Sequence, residues 1–218
     1  MKTWSSCNRK WWWNKVMGVP DRGSAAAALG TAIHEELENW LLEGTPTKHP
    51  VLTKALNHFP PPKSPDVYIE KWLKKPLSIV QFKGRADVID CRDDIPVLMD
   101  LKTTGNIRYA LTAEKLRLDI QMNAYAHNIL EAYAPNATAI KYAHIYVTTR
   151  GKELVKPVTV TVEKAHVDNF WNNIITPMAN DMMLDANEEY LDAVKATPSH
   201  CGAYGGCPYK NLCKDITR

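Results

Sequence analysis

Two neighbouring segments with β-like alternation constrain this chain most. The first runs Ile79-Val80-Gln81-Phe82-Lys83-Gly84-Arg85-Ala86-Asp87-Val88-Ile89-Asp90 and puts Asp87 on the face of Lys83 and Arg85. The second reads Pro96-Val97-Leu98-Met99-Asp100-Leu101-Lys102-Thr103-Thr104. Side chains two apart on a strand share a face, roughly 6–7 Å apart. Asp100 and Lys102 therefore point one way, while Met99 and Leu101 point into apolar packing. Two carboxylates and an ammonium converging between paired strands can hold a hard divalent cation beside a phosphate.

The segments around this pair suggest an α/β chain. Ser24 to Leu42 reads as a helix, with Ala-rich propensity and Ile33, Leu37, Trp40 and Leu41 at helical spacing. Gly44 and Pro46 close it. A Pro-rich stretch over 45–65 holds a short helix around Leu52 to His58. Strands are expected at 67–73, 78–90 and 96–102, then a long helix over 110–133. Further strands follow at 138–149 and 153–162, then a third amphipathic helix at 164–184. The order predicts a central mixed β-sheet flanked by helices. The last twenty residues are too rich in Gly, Cys and Pro for a long regular element.

Composition narrows the function classes. The formal charge is only +3 over 218 residues, so any attraction to nucleic acid must come from local basic patches. The chain has no run of 18 apolar residues and no apolar stretch of a secretory signal at Met1 to Lys10, so no membrane span is expected. Five cysteines, an odd number, argue for a reducing, cytoplasmic setting with thiolates available for metal.

The motifs in their order resemble the PD-(D/E)xK nuclease superfamily. They are Gly84-Arg85-Ala86-Asp87, Asp100-Leu101-Lys102, then Gln121-Met122-Asn123-Ala124-Tyr125. The RecB-type branch, with the CRISPR-associated exonucleases and their phage relatives, is the nearest likeness. Gly30-Thr31-Ala32-Ile33-His34 is similar to that branch's helix-borne His motif. Cys7-Asn8-Arg9-Lys10-Trp11 and the group Cys201, Cys207 and Cys213 are similar to its terminal cysteine pattern.

That resemblance implies a restriction-endonuclease-like fold in one nuclease domain over 1–218. An N-terminal Cys/Trp segment would take 1–23, the nuclease core 24–162, and the C-terminal helix and Cys cluster 163–218. It further implies Mg²⁺ or Mn²⁺ held by His34, Asp87, Asp100 and the backbone carbonyl of Leu101. Lys102 would orient or deprotonate the attacking water and stabilise phosphate charge, with Gln121 and Tyr125 lining the site. The implied activity is metal-dependent hydrolysis of DNA, on single strands or duplex ends, in recombination, repair or CRISPR-type processing. The alternative is a catalytically quiet nucleic-acid-binding subunit of a recombination or CRISPR-adaptation complex. Partner proteins of those pathways, or further copies of the chain, are the protein partners implied.

Cys7, Cys201, Cys207 and Cys213 would tie the two termini around a [4Fe–4S] cluster, with zinc or unliganded thiols as the alternatives. The three C-terminal cysteines have five residues between neighbours. Cluster-bearing members of the family instead place the first two C-terminal cysteines two residues apart. Cys91 reads as a buried strand thiol, and Glu70 as an exposed strand charge beside Lys71, with a metal ligand or supporting acid facing the cleft of Asp87 as the alternative. Asp90, Asp93 and Asp94 read as turn residues with Arg92. The run Trp11-Trp12-Trp13 reads as packing rather than as a stack for bases, since three successive indoles cannot share one helix face.

Overall fold

The structure is a computed structural model that describes residues 1–213 except 22, 78–79, 190–192 and 203–205. Ile79 and the start of the strand expected at 78 lie outside the described residues. The chain divides into two compact units, Ser24–Asn173 and the pair of terminal segments Met1–Gly23 with Ile174–Arg218.

The central unit is a five-stranded sheet in the order β1-β2-β3-β4-β5. Its strands are β1 (Val67–Leu77), β2 (Val80–Asp90), β3 (Val97–Thr104), β4 (Ala139–Thr148) and β5 (Val155–Glu163). All neighbours are antiparallel except β3 and β4, which run parallel. A parallel pair needs a crossover. Helices α5 (Ala113–Arg117) and α6 (Ile120–Ala132) supply it. The mixed sheet flanked by helices agrees with the fold class expected from sequence.

Two more helices of this unit, α3 (Ala25–Glu43) and α4 (Pro50–Ala55), cover one face. Ile33, Leu37 and Leu41 of α3 and Val51, Leu52 and Ala55 of α4 pack with Val88, Met99, Leu101, Ala143, Ile145 and Val147 from the sheet. The ends of α3 follow from local chemistry. Ser24 Oγ accepts the Ala27 N–H, and Gly44, at φ +79°, closes the helix with its N–H on Trp40 O. A Cβ at Gly30 would sit 2.9 Å from Thr103 Oγ1, so this glycine sets how closely α3 approaches β3. On the other face, Tyr142 of β4 donates its hydroxyl to Asn123 of α6 at 3.1 Å.

Three expectations need correction. The helix expected over 110–133 breaks into α5 and α6, because Asp119 caps a new start. Its Oδ1 accepts the N–H groups of Gln121 and Met122 at 2.9 and 3.1 Å. The helix expected at 164–184 becomes α7 (Lys164–Phe170), a π turn over Trp171–Ile175 and, in the terminal unit, α8 (Thr176–Ala186). Cys91 lies just past the end of β2 and is half-buried, not a buried strand residue.

The terminal unit joins the two ends of the chain through hydrogen bonds. It opens with α1 (Lys2–Ser6) and α2 (Asn8–Lys15). Arg9 of α2 is buried and donates its Nε to Val194 O at 2.7 Å, while Asn8 reaches Asp185 of α8. Buried Tyr209 receives Asn14 Nδ2 and donates to Val19 O. Trp12 is buried and lies edge-on to Trp13, which agrees with packing as its role. Among the described residues, no helix is long and apolar enough to cross a membrane.

Candidate active site

The site is built where two strands part. β2 and β3 pair only at Val88↔Met99, Ile89↔Leu98 and Asp90↔Val97. The next pair in that register is Asp87 with Asp100, so both acids stand at the opening of the split. Asp87 bridges it with a side chain, its Oδ2 accepting the Leu101 N–H at 3.0 Å.

β1 changes its facing at the same level. Glu70 has φ +48°, a left-handed backbone that costs a residue with a Cβ on the order of 1–2 kcal/mol. Before it, Val67 and Ile69 pack on the α3–α4 core. After it, Lys71 lies against Tyr68 and Tyr133, and Lys75 lies over Trp171. The shift turns the Glu70 carboxylate inward, where Arg85 Nε meets its Oε2 at 2.6 Å. The Glu70 side chain is 13 % exposed, so it is not the exposed strand charge expected from sequence.

His34 arrives from α3. Its Nδ1 lies 3.3 Å from Asp87 Oδ2, and its ring also hydrogen-bonds the Leu101 backbone. His34, Glu70 and Asp87 each offer one ligand atom, and these atoms lie within 4.8 Å of one another. Asp100 is outside that group. Its Oδ2 pairs with Lys102 Nζ at 2.5 Å and its Oδ1 accepts Gln121 Nε2 at 2.9 Å. The structure thus sorts the residues named from sequence into two adjoining clusters, with Leu101 touching both Asp87 and His34.

Tyr125 closes the α6 side. A Cβ on Gly84 would sit 2.3 Å from Tyr125 Cε1, so only glycine admits the ring there. Phe82 meets Tyr125 edge-on at 6.1 Å and Trp171 at 5.7 Å. Burial pushes the Tyr125 phenol up, the Arg85 backbone opposes this, and the charges of Asp100 and Asp87 add to it.

Burial dominates the electrostatics of the acids. Burial, with Asp100 adding to it, pushes the Asp87 carboxyl up to about 8, against the pull of Lys102 and the Leu101 N–H. Burial also raises Glu70, with Arg85 opposing. Burial lowers His34, which favours the neutral imidazole that can act as a ligand. Lys102 is pulled down by burial, yet Asp100, Asp87 and Asp119 outweigh this and raise it. Two hard oxygen donors and one neutral nitrogen converging at this spacing fit a divalent cation such as Mg²⁺ or Mn²⁺.

The expected cysteine set falls wholly in the terminal unit. Cys7, Cys201, Cys207 and Cys213 are all free and half-buried. Burial raises the Cys213 thiol, Trp13 and Arg9 oppose this, and the Cys207 and Cys7 thiols are near enough to add to the rise. Cys201 joins Cys207 through a backbone bond, Cys207 N–H to Cys201 O at 2.9 Å.

Comparisons with known proteins give a family match and a shared fold. The profile of the PD-(D/E)XK nuclease superfamily matches residues 61–214, more than half of the chain. A protein from Eubacterium rectale, named as a candidate exonuclease, shares the fold at TM-score 0.52 and 12% identity; the match covers 81% of this chain and 73% of that one. A protein named SSO0001 aligns at TM-score 0.45 and 16% identity, over 87% of this chain and 71% of the other. A phage-related exonuclease from Haemophilus somnus 129PT aligns at TM-score 0.32 and 12% identity, over 85% and 93%. No curated protein matches the chain by sequence.

Proposed function

Because the chain belongs to the PD-(D/E)XK nuclease superfamily, we propose that it is a metal-dependent deoxyribonuclease that hydrolyses phosphodiester bonds in single strands or at duplex ends. The observation that carries this reading is the meeting of His34, Glu70 and Asp87 within 4.8 Å, beside the Lys102–Asp100–Gln121 chain.

His34, Asp87 and Glu70 would hold Mg²⁺ or Mn²⁺, with Asp100 and the Leu101 carbonyl at its border. Such an ion neutralises charge developing on phosphate and makes water a better nucleophile. The chain's own groups do the positioning. Asp100 fixes the Lys102 ammonium through their 2.5 Å contact, and Gln121 fixes Asp100 from the other side. Lys102 then presents positive charge to the phosphate and orients the attacking water. Tyr125 and the Phe82–Trp171 edge contacts wall the α6 side. Cys7, Cys201, Cys207 and Cys213 are the residues that would seat a [4Fe–4S] cluster or zinc, supported by their common place in the terminal unit.

A time course of end-labelled single- and double-stranded DNA with Mg²⁺, Mn²⁺ or EDTA tests the reading. Degradation with either ion, absent in EDTA and in Lys102→Ala, is expected. Tight DNA binding with no cutting under any condition would leave instead a quiet nucleic-acid-binding subunit.

A further inference from the structure

The outer part of the β1–β2 ribbon carries a surface that the site chemistry does not use. Trp72 pairs with Arg85 across the ribbon, and Lys74 pairs with Lys83. Residues directly opposite on an antiparallel pair share a face, as do residues two apart. Trp72 and Lys74 on one strand therefore line up with Arg85 and Lys83 on the other, and Glu70, where β1 changes its facing, is joined to them by Arg85. The contacts agree. Lys83 Nζ lies 4.4 Å from the centroid of the Trp72 ring and the Arg85 guanidinium 5.9 Å, while Arg85 also pairs with Glu70.

Trp72 is 51 % exposed, an unusual position for an indole on a sheet face. It stands roughly 7 Å along the strand from Glu70, and Lys74 and Lys83 stand roughly 13 Å from the acids. An exposed aromatic ring among cations, aligned with a carboxylate cluster, has the two features that single strands need: a π face for a base and positive charge for phosphates. A duplex offers no free base face. The cations also offset the field of the acids, which alone would repel a polyanion.

Resting on the nuclease reading above, we propose that Trp72, Arg85, Lys74 and Lys83 form a track that grips single-stranded nucleic acid and feeds it to the acids at Glu70 and Asp87. Trp72 stacks one base, and the two lysines hold the phosphates farther along the ribbon.

The test is the affinity of the full chain for a fluorescein-labelled 15-mer of oligothymidylate, with Ca²⁺ replacing Mg²⁺, across a series of salt concentrations. Trp72→Ala is expected to weaken binding about 5- to 50-fold, and Trp72→Phe, which keeps a ring, to stay within about twofold of the wild type. Lys74→Ala/Lys83→Ala is expected to flatten the slope of log affinity against log salt by about 1.4, the share of two single-strand phosphates. Circular dichroism melts verify that each variant is folded. Folded Trp72→Ala with wild-type affinity would overturn the track, and so would an equal loss on a blunt duplex of the same length. Because the readout is binding, a chain that binds through Trp72 but cuts nothing keeps the track and loses the nuclease reading. A chain that cuts DNA but ignores Trp72→Ala does the reverse.

Discussion

Asp87 holds β2 to β3 with its side chain, Oδ2 accepting the Leu101 N–H at 3.0 Å where the backbone ladder between those strands has ended. One carboxylate thus has two duties, as a structural acceptor and as a member of the His34–Glu70–Asp87 cluster. The duties separate on substitution.

Asp87→Asn keeps an acceptor for Leu101 and removes the charge. The folded carboxyl is pushed up to about 8, against an ordinary value of 3.8. Between those values the folded state binds more protons than the unfolded state. The stability this gives is complete below the unfolded value and is lost as pH rises through about 8. In EDTA at pH 8, Asp87→Asn is therefore expected to melt about 2–8 °C above the wild type, with a flatter dependence on pH. Mg²⁺ or Mn²⁺ should stabilise the wild type and leave the variant unmoved. Thermal melts with and without ions check this, and a variant that melts lower in EDTA would contradict it.

Lys102→Ala should cut DNA hydrolysis by about 100-fold or more, as loss of a charge-stabilising donor does elsewhere. Gln121→Ala leaves the ion pair but frees one oxygen of Asp100, so a smaller loss of roughly tenfold is expected. Single-turnover rates at saturating DNA separate these losses from changes in binding.

Gly84→Ala should destabilise the central unit by about 1–3 kcal/mol, because its new methyl would stand 2.3 Å from Tyr125 Cε1. Combining it with Tyr125→Ala should recover part of that loss, since the clash is removed with the ring. Urea titrations of the two singles and the double measure the recovery.

Asp90 gives a pH-dependent contribution of opposite sign. Its carboxylate accepts Arg92 Nε at 2.8 Å, Nη2 at 2.7 Å and the Arg92 N–H at 3.2 Å. Burial would raise the carboxyl, but the Arg92 contacts outweigh it and hold it below 3.8. That stability is present above the unfolded value and lost as pH falls through the lower folded one. Asp90→Asn is expected to cost about 0.5–1 kcal/mol at pH 7, with solvent screening at half-exposed Arg92 limiting the figure. Denaturation at pH 7 and pH 2 should show the difference closing.

Asp87, Asp100 and Lys102 could be read from residue spacing, whereas His34, Gln121 and Tyr125 were legible only through the family resemblance. Asp100 and Lys102 are two apart between apolar neighbours, and His34 sits on a helix whose apolar face runs through Ile33, Leu37 and Leu41. Glu70 was legible only as the weaker of two readings, because strict alternation is broken at its left-handed backbone, and period-two reasoning assigns the wrong face beyond such a point. The break between α5 and α6 escaped for a related reason. Leu118, Met122 and Tyr125 keep helical spacing across it, so the pattern masks the cap at Asp119. Trp72 gave no signal alone, since its meaning comes from Lys83 and Arg85 on a different strand.

The fork between β2 and β3 has one more consequence. Asp87 and Asp100 are the first residues on its two prongs, so backbone spread, not rotamer choice, governs the gap between their carboxylates. Adding a methylene at the β2 prong, as in Asp87→Glu, moves a charged tip past Leu101 N–H and His34, while the backbone beneath it stays tied to β1. Side-chain length at Asp87 is therefore a dimension of the fold itself, as fixed as the step from one strand to the next.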